Sequence, residues 1–143
     1  MSFSPPPAPV VVDASFAIEA LLEGGPSLER WVEWIHDGRT RLVPAHFWAE
    51  LANALLLGRR FEPGRAALTV GAAARAGLET ADRGLAGIAD ALDLASRHRL
   101  TMYDALYLQL AADVDGELAT ADRGLARAAR AEGVGVVTPA ATA

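Results

Sequence analysis

The chain has no cysteine among its 143 residues. That excludes disulfides, a thiolate nucleophile and cysteine-based zinc sites. It has no lysine either, so all 13 strongly basic residues are arginine. This rules out a P-loop lysine, a Schiff-base lysine, and the lysine used by phospho-receiver and haloacid-dehalogenase-like domains. Aromatic residues are scarce at 6%. No apolar run approaches the roughly 20 residues needed to cross a bilayer, and no basic flank leads into an apolar segment as in a signal peptide. A cytoplasmic protein without membrane contact is expected. The formal net charge of -5 argues against bulk electrostatic affinity for nucleic acid. It leaves room for a nuclease, which needs local acids and a few arginines.

What is present suits one folded domain. Half the residues are apolar, at 52%, and the length supports a sizeable core. Residues 1–9 are proline-rich and read as a flexible leader; residues 138–143 read as a flexible tail. Between them, 10–137 forms the domain. The β-branched run Val10-Val11-Val12 reads as a buried strand, with Asp13 at its carboxyl end. Helices are expected over 14–22, from a Ser27 cap toward Gly38, over 46–60, from Pro63 to about 76, over 84–98, from Thr101, and over 123–131. Short strands are expected at 42–44, 77–80, 117–120 and 134–137. On the helix over 84–98, Leu85, Ile88, Ala89, Leu92 and Ala95 form the expected buried stripe. Apolar strands alternating with helices give an α/β fold with a mostly parallel sheet, whose active sites gather at the strands' carboxyl ends.

Four acids stand out. Asp13 either caps the first helix or faces a site, and Ser15 offers a hydroxyl to either role. Glu50 lies on an apolar helix, where a carboxylate needs a partner or protonates; an exposed helix edge or an arginine partner are the alternatives. Asp104 sits in Thr101-Met102-Tyr103-Asp104, a capping-box-like start that does not prevent it facing an ion. Asp122 lies where a strand turns into a helix. It belongs to TADRGLA at 120–126, which also occurs at 80–86. Asp82 is thus an internal control: both copies read as turns with a capping aspartate, and Asp82 is expected away from the other acids. Asp113 and Asp115 read as turn residues, and Asp90 and Asp93 as solvated. His36, His46 and His98 lack ligand spacing. Trp31, Trp34 and Trp48 read as packing residues.

Two carboxylates 4 Å apart repel by roughly 4 kcal/mol at an effective dielectric near 20. Four acids that met would therefore call for a cation, and oxygen donors suit Mg²⁺ or Mn²⁺. Such an ion can acidify a water for attack on a phosphodiester.

The segments VVVDASFAIEALL, FWAELANALL, TMYDALYLQLA and ELATADRGLARAAR, with a final GVGVV, resemble the PIN-domain family, and more closely the VapC-type toxins of toxin–antitoxin pairs. The likeness spans 10–137. It implies a three-layer α/β/α sandwich with a central, mostly parallel sheet and a metal-dependent endoribonuclease. It implies Asp13 and Asp104 as principal Mg²⁺ or Mn²⁺ ligands, completed by Glu50 and Asp122. Ser15 and Thr120 would be supporting hydroxyls and Arg123 a phosphate contact. Family members typically dimerise and are silenced by a cognate antitoxin, here of the VapB type, laid over apolar surface. Phe16, Leu21, Leu22, Trp31, Trp34 and Trp48 could provide such surface or simply fill the core. Two other readings stay open: a PIN-like nuclease acting on DNA or structured nucleic acid, and a non-catalytic module whose acids cap helices.

Overall fold

The structure is a computed structural model that describes residues 5–139. The expected mobility of leader and tail falls partly on residues 1–4 and 140–143, outside the described residues. Leader residues next to the domain are tied to it: the Ala8 carbonyl accepts from Arg39 Nε at 2.5 Å and the Pro9 carbonyl from the Glu117 N–H at 3.0 Å. Gly116 makes this approach possible, because a Cβ there would lie 2.5 Å from the Pro9 oxygen.

Among the described residues five strands form one parallel sheet: β1 (Val10–Val12), β2 (Arg41–Val43), β3 (Leu78–Thr80), β4 (Glu117–Ala119) and β5 (Val136–Val137). The order across the sheet is β3-β2-β1-β4-β5. β1 is central and completely buried. An all-apolar triplet forms it because a parallel strand covered on both faces has no solvent side to alternate toward. The chain first builds outward from β1 through β2 to β3, then returns to lay β4 on β1's other edge. This reversal leaves a crevice beyond the carboxyl ends of β1 and β4.

Among the described residues seven helices flank the sheet: α1 (Ala14–Ile18), α2 (Gly25–His36), α3 (Phe47–Asn53), α4 (Pro63–Arg75), α5 (Leu85–His98), α6 (Met102–Asp113) and α7 (Arg123–Ala131). α1 and α3 continue as π-helical turns at Glu19–Glu23 and Ala54–Gly58. The result is the expected α/β sandwich. α6 packs on β1 and β4, α7 on β5, and α4 on the opposite sheet edge at β3. Phe16, Trp31 and Trp34 are core residues, with the Phe16 and Trp34 rings stacked at 5.5 Å. Trp48 is half-buried and donates its indole N–H to Thr80 Oγ1 at 2.8 Å.

Two local expectations are corrected. Ser27 does not cap α2. Gly24, at φ 73°, occupies the cap, and Ser27 is buried within the helix, one and two turns before Trp31 and Trp34. On α5 the buried face is Gly87, Ala91 and Leu94, whereas Leu85, Ile88 and Leu92 are 81%, 42% and 57% exposed. α5 packs chiefly against α6, and the two small residues on its inner face suit close backbone approach. The bulky stripe is left outside.

Candidate active site at the sheet's switch point

Asp13 follows β1 and caps α1, accepting from the Phe16 N–H at 2.9 Å through Oδ1. The same oxygen accepts from the Ser15 hydroxyl at 2.7 Å. Oδ2 accepts from the Thr120 hydroxyl at the end of β4. Both hydroxyls also receive a backbone donor: Ser15 Oγ from the Ala121 N–H at 2.9 Å, and Thr120 Oγ1 from the Asp122 N–H at 3.0 Å. Two hydroxyl bridges therefore lock the β1–α1 turn to the β4–α7 turn, with a carboxylate between them. A carboxylate offers about four lone-pair sites. Three are used here, leaving one for a further ligand.

Burial pushes the Asp13 carboxyl up to about 6 against the pull of its three donors, and the Asp104 charge adds to the rise. Glu50, on the first turn of α3, is raised to about 7 by burial and by the charges of Asp104 and Asp13. Asp104 is also raised, by burial and by Asp122. It occupies the first turn of α6, where its own N–H bonds the capping Thr101 hydroxyl at 3.2 Å. Asp122 caps α7, with Oδ1 accepting from the Leu125 N–H at 2.8 Å. Thus Asp13, Glu50 and Asp104 feel one another's charge, and Asp122 joins through Asp104. Glu50 and Asp104 line one cleft of about 500 Å³. Among the described residues, the side chains as placed form no set of three carboxylates or imidazoles close enough to hold an ion.

The site has members that sequence reasoning passed over. His46 is one turn before Glu50 on α3, its Nε2 3.7 Å from the Glu50 carboxylate. Its ring packs edge-on against Tyr107 at 4.8 Å and beside Tyr103 at 5.7 Å. Burial pushes its pKa down. Tyr107 is fully buried, and its hydroxyl lies near Glu50 without a hydrogen bond of ordinary geometry. Burial, reinforced by Glu50, holds this phenol far above its usual range. A signal was available: Tyr107 falls one turn after Asp104, on the same face of α6.

The control aspartate behaves as expected in place but not in role. Asp82 follows the edge strand β3, two strands from β1. Its carboxylate accepts from the Ala45 N–H at 3.0 Å and the Gly84 N–H at 2.9 Å. These bonds hold its pKa down. It does not cap α5, which starts after Gly84 at φ 58°. Asp113 and Asp90 are not free either, since both pair with Arg83.

A chain whose first strand ends in a buried aspartate, bridged by hydroxyls to a second acidic turn across the switch point, matches a known family model. The match to the PIN domain covers residues 10–131. The chain belongs to the PIN domain family. No curated protein sequence matches it. Solved structures of similar fold include PAE2754 from Pyrobaculum aerophilum, with a TM-score of 0.71, 19% identity, and coverage of 92% of this chain and 91% of that one. VapBC2 from Rickettsia felis, bound to a DNA fragment from their promoter, gives 0.65 and 13% identity over 90% of this PIN domain chain and 97% of that one. FitAcB from Neisseria gonorrhoeae gives 0.57 and 22% identity over 91% and 97%. Among the described residues no helix is long and apolar enough to cross a membrane.

Proposed function

We propose that this PIN domain is a Mg²⁺- or Mn²⁺-dependent endoribonuclease and the toxin of a VapC-type toxin–antitoxin pair. The observation that carries the proposal is the group of acids at the switch point, with Asp13 and Glu50 raised to about 6 and 7 and Asp104 raised as well. Carboxylates that resist ionising together are the ones a divalent cation relieves. The donor set fits such an ion. It is all oxygen, Asp13 keeps a free lone pair, and Asp122 Oδ2 accepts no hydrogen bond among the described residues. Asp13 and Asp104 would hold the ion, with Glu50 and Asp122 directly or through water.

When bound, the ion supplies an acidified water and neutralises charge on the phosphodiester. The chain's own residues do the rest. Ser15 and Thr120 fix the Asp13 carboxylate so that its remaining lone pair points one way. Glu50, on the cleft it shares with Asp104, is suited to take a proton from an attacking water. Arg123, exposed on the first turn of α7, is suited to a phosphate oxygen.

The fold likeness to VapBC2 and FitAcB supports a toxin–antitoxin setting with a VapB-type antitoxin. The exposed Leu85, Ile88 and Leu92 support a covered face, as in a homodimer. Cleavage of single-stranded RNA with Mn²⁺ tests the activity. It is expected to vanish with EDTA and with Asp13→Asn, and a preference for DNA would select the DNA-acting reading. Caps made by Asp13 and Asp122 favour the competing, non-catalytic reading. That reading expects no rise in melting temperature with Mn²⁺; ours expects a rise.

A further inference from the structure

Helix α7 buries Leu125, Ala126, Ala128 and Ala129 and turns three arginines outward. Arg123, Arg127 and Arg130 stand at i, i+4 and i+7, within an arc of about 60° and over about 10 Å of helix. All three line a cleft of about 730 Å³ that begins at Thr120 and Asp122. None forms an ion pair among the described residues; other arginines, such as Arg65 and Arg75, share that state, but these three stand together on one helix face beside the acids. The cleft's two acids are Glu19 and Asp122, and Asp122 already spends one oxygen on the helix cap. A surplus of free guanidinium charge thus collects beside the site on a chain of net charge -5.

We propose that the arginine face of α7 is a binding track for the sugar–phosphate backbone of single-stranded RNA, leading the strand to the acids at the switch point. The proposal rests on the nuclease reading and adds Arg127 and Arg130 to it. Guanidinium forks match phosphate oxygens, and their weak hydration makes the exchange of water for phosphate favourable. At about 10 Å the face is long enough to meet more than one phosphate of an extended strand. An acidic protein segment fits less well, because the cleft's apolar lining is limited to the small groups Ala121, Ala126 and Pro139, which give a bulky anchor little to pack against.

The test is equilibrium binding of a fluorescein-labelled oligouridylate to the full chain in EDTA, across a salt series, with cleavage in Mn²⁺ measured in parallel. Arg127→Gln/Arg130→Gln is expected to bind roughly tenfold more weakly. The slope of log K against log salt should flatten by about 1.4, or about 0.7 per lost phosphate contact. KM should rise with kcat little changed. Arg65→Gln/Arg75→Gln, on α4 at the other sheet edge, should match wild type. If wild type binds and cuts RNA but the α7 double variant is indistinguishable from it, the track is wrong and the nuclease reading stands. If wild type neither binds nor cuts RNA, the nuclease reading fails and takes the track with it. Arginine-dependent capture of polyglutamate without such dependence for RNA would also overturn the track.

Discussion

The Thr120 hydroxyl donates to Asp13 Oδ2 and accepts from the Asp122 N–H, so one side chain ties two acids of different strands into one unit. Thr120 is completely buried, and the bond cannot be replaced by solvent. Thr120→Val keeps the shape and removes both bonds, leaving a buried carboxylate oxygen short of a donor. It should cost about 1–3 kcal/mol in urea denaturation. Thr120→Ser should recover most of that loss. A valine variant as stable as wild type would show that the bridge does not hold the two turns together.

Stability of the metal-free protein should fall as pH rises. Asp13 and Glu50 hold their protons to about 6 and 7 in the folded chain, against ordinary values near 4 unfolded. The folded state therefore binds more protons in that window, and stability present at pH 4 is lost progressively up to pH 7. His46, pushed down by burial, acts in the opposite direction, as do the lowered carboxyls of Asp82 and Glu132. Those two carboxyls act mainly below the window in which Asp13 and Glu50 titrate. Thermal melts in EDTA should show the decline, and Mn²⁺ at pH 7.5 should reverse it. A melting temperature that climbs steadily from pH 5 to 7.5 in EDTA would contradict this.

The two TADRGLA segments should respond differently to the same substitution. Asp122→Ala removes the α7 cap and should cost about 1 kcal/mol together with activity. Asp82→Asn should leave cleavage at the wild-type rate, since the Asp82 carboxylate is bonded to the Ala45 and Gly84 N–H groups and reaches the site only through a weak charge interaction with His46. Loss of cleavage in Asp82→Asn with its fold intact would remove the distinction between the copies.

Tyr107→Phe should be neutral or stabilising by up to about 1 kcal/mol without metal, because it deletes a buried hydroxyl that makes no hydrogen bond of ordinary geometry among the described residues. Chemical denaturation measures this directly. A loss above 2 kcal/mol would mean that the phenol is well bonded in the folded protein.

These contrasts explain which parts of the molecule were legible in its sequence. The run Val10-Val11-Val12 followed by Asp13 announces a buried parallel strand with an acid at its end, because both signals are local. The acids were likewise visible by residue type, although their neighbourhood came from the resemblance. The repeat was not legible in the same way. Identical heptads adopt different turns because Asp82 finds the Ala45 N–H and Arg83 finds Asp113, partners 37 and 30 positions away. Periodicity likewise chose Leu85, Ile88 and Leu92 as the inner stripe of α5, while the α5–α6 contact selected Gly87 and Ala91. His46 carried no motif, and its surroundings arise only when α6 brings Tyr103 and Tyr107 across.

The most direct measurement of the central claim is a calorimetric Mn²⁺ titration paired with RNA cleavage, run on wild type, Asp13→Asn, Asp104→Asn and Asp82→Asn. Wild type and Asp82→Asn should bind Mn²⁺ and cut RNA alike, while Asp13→Asn and Asp104→Asn should lose both. Full metal-dependent cleavage by either of those two variants would contradict the account.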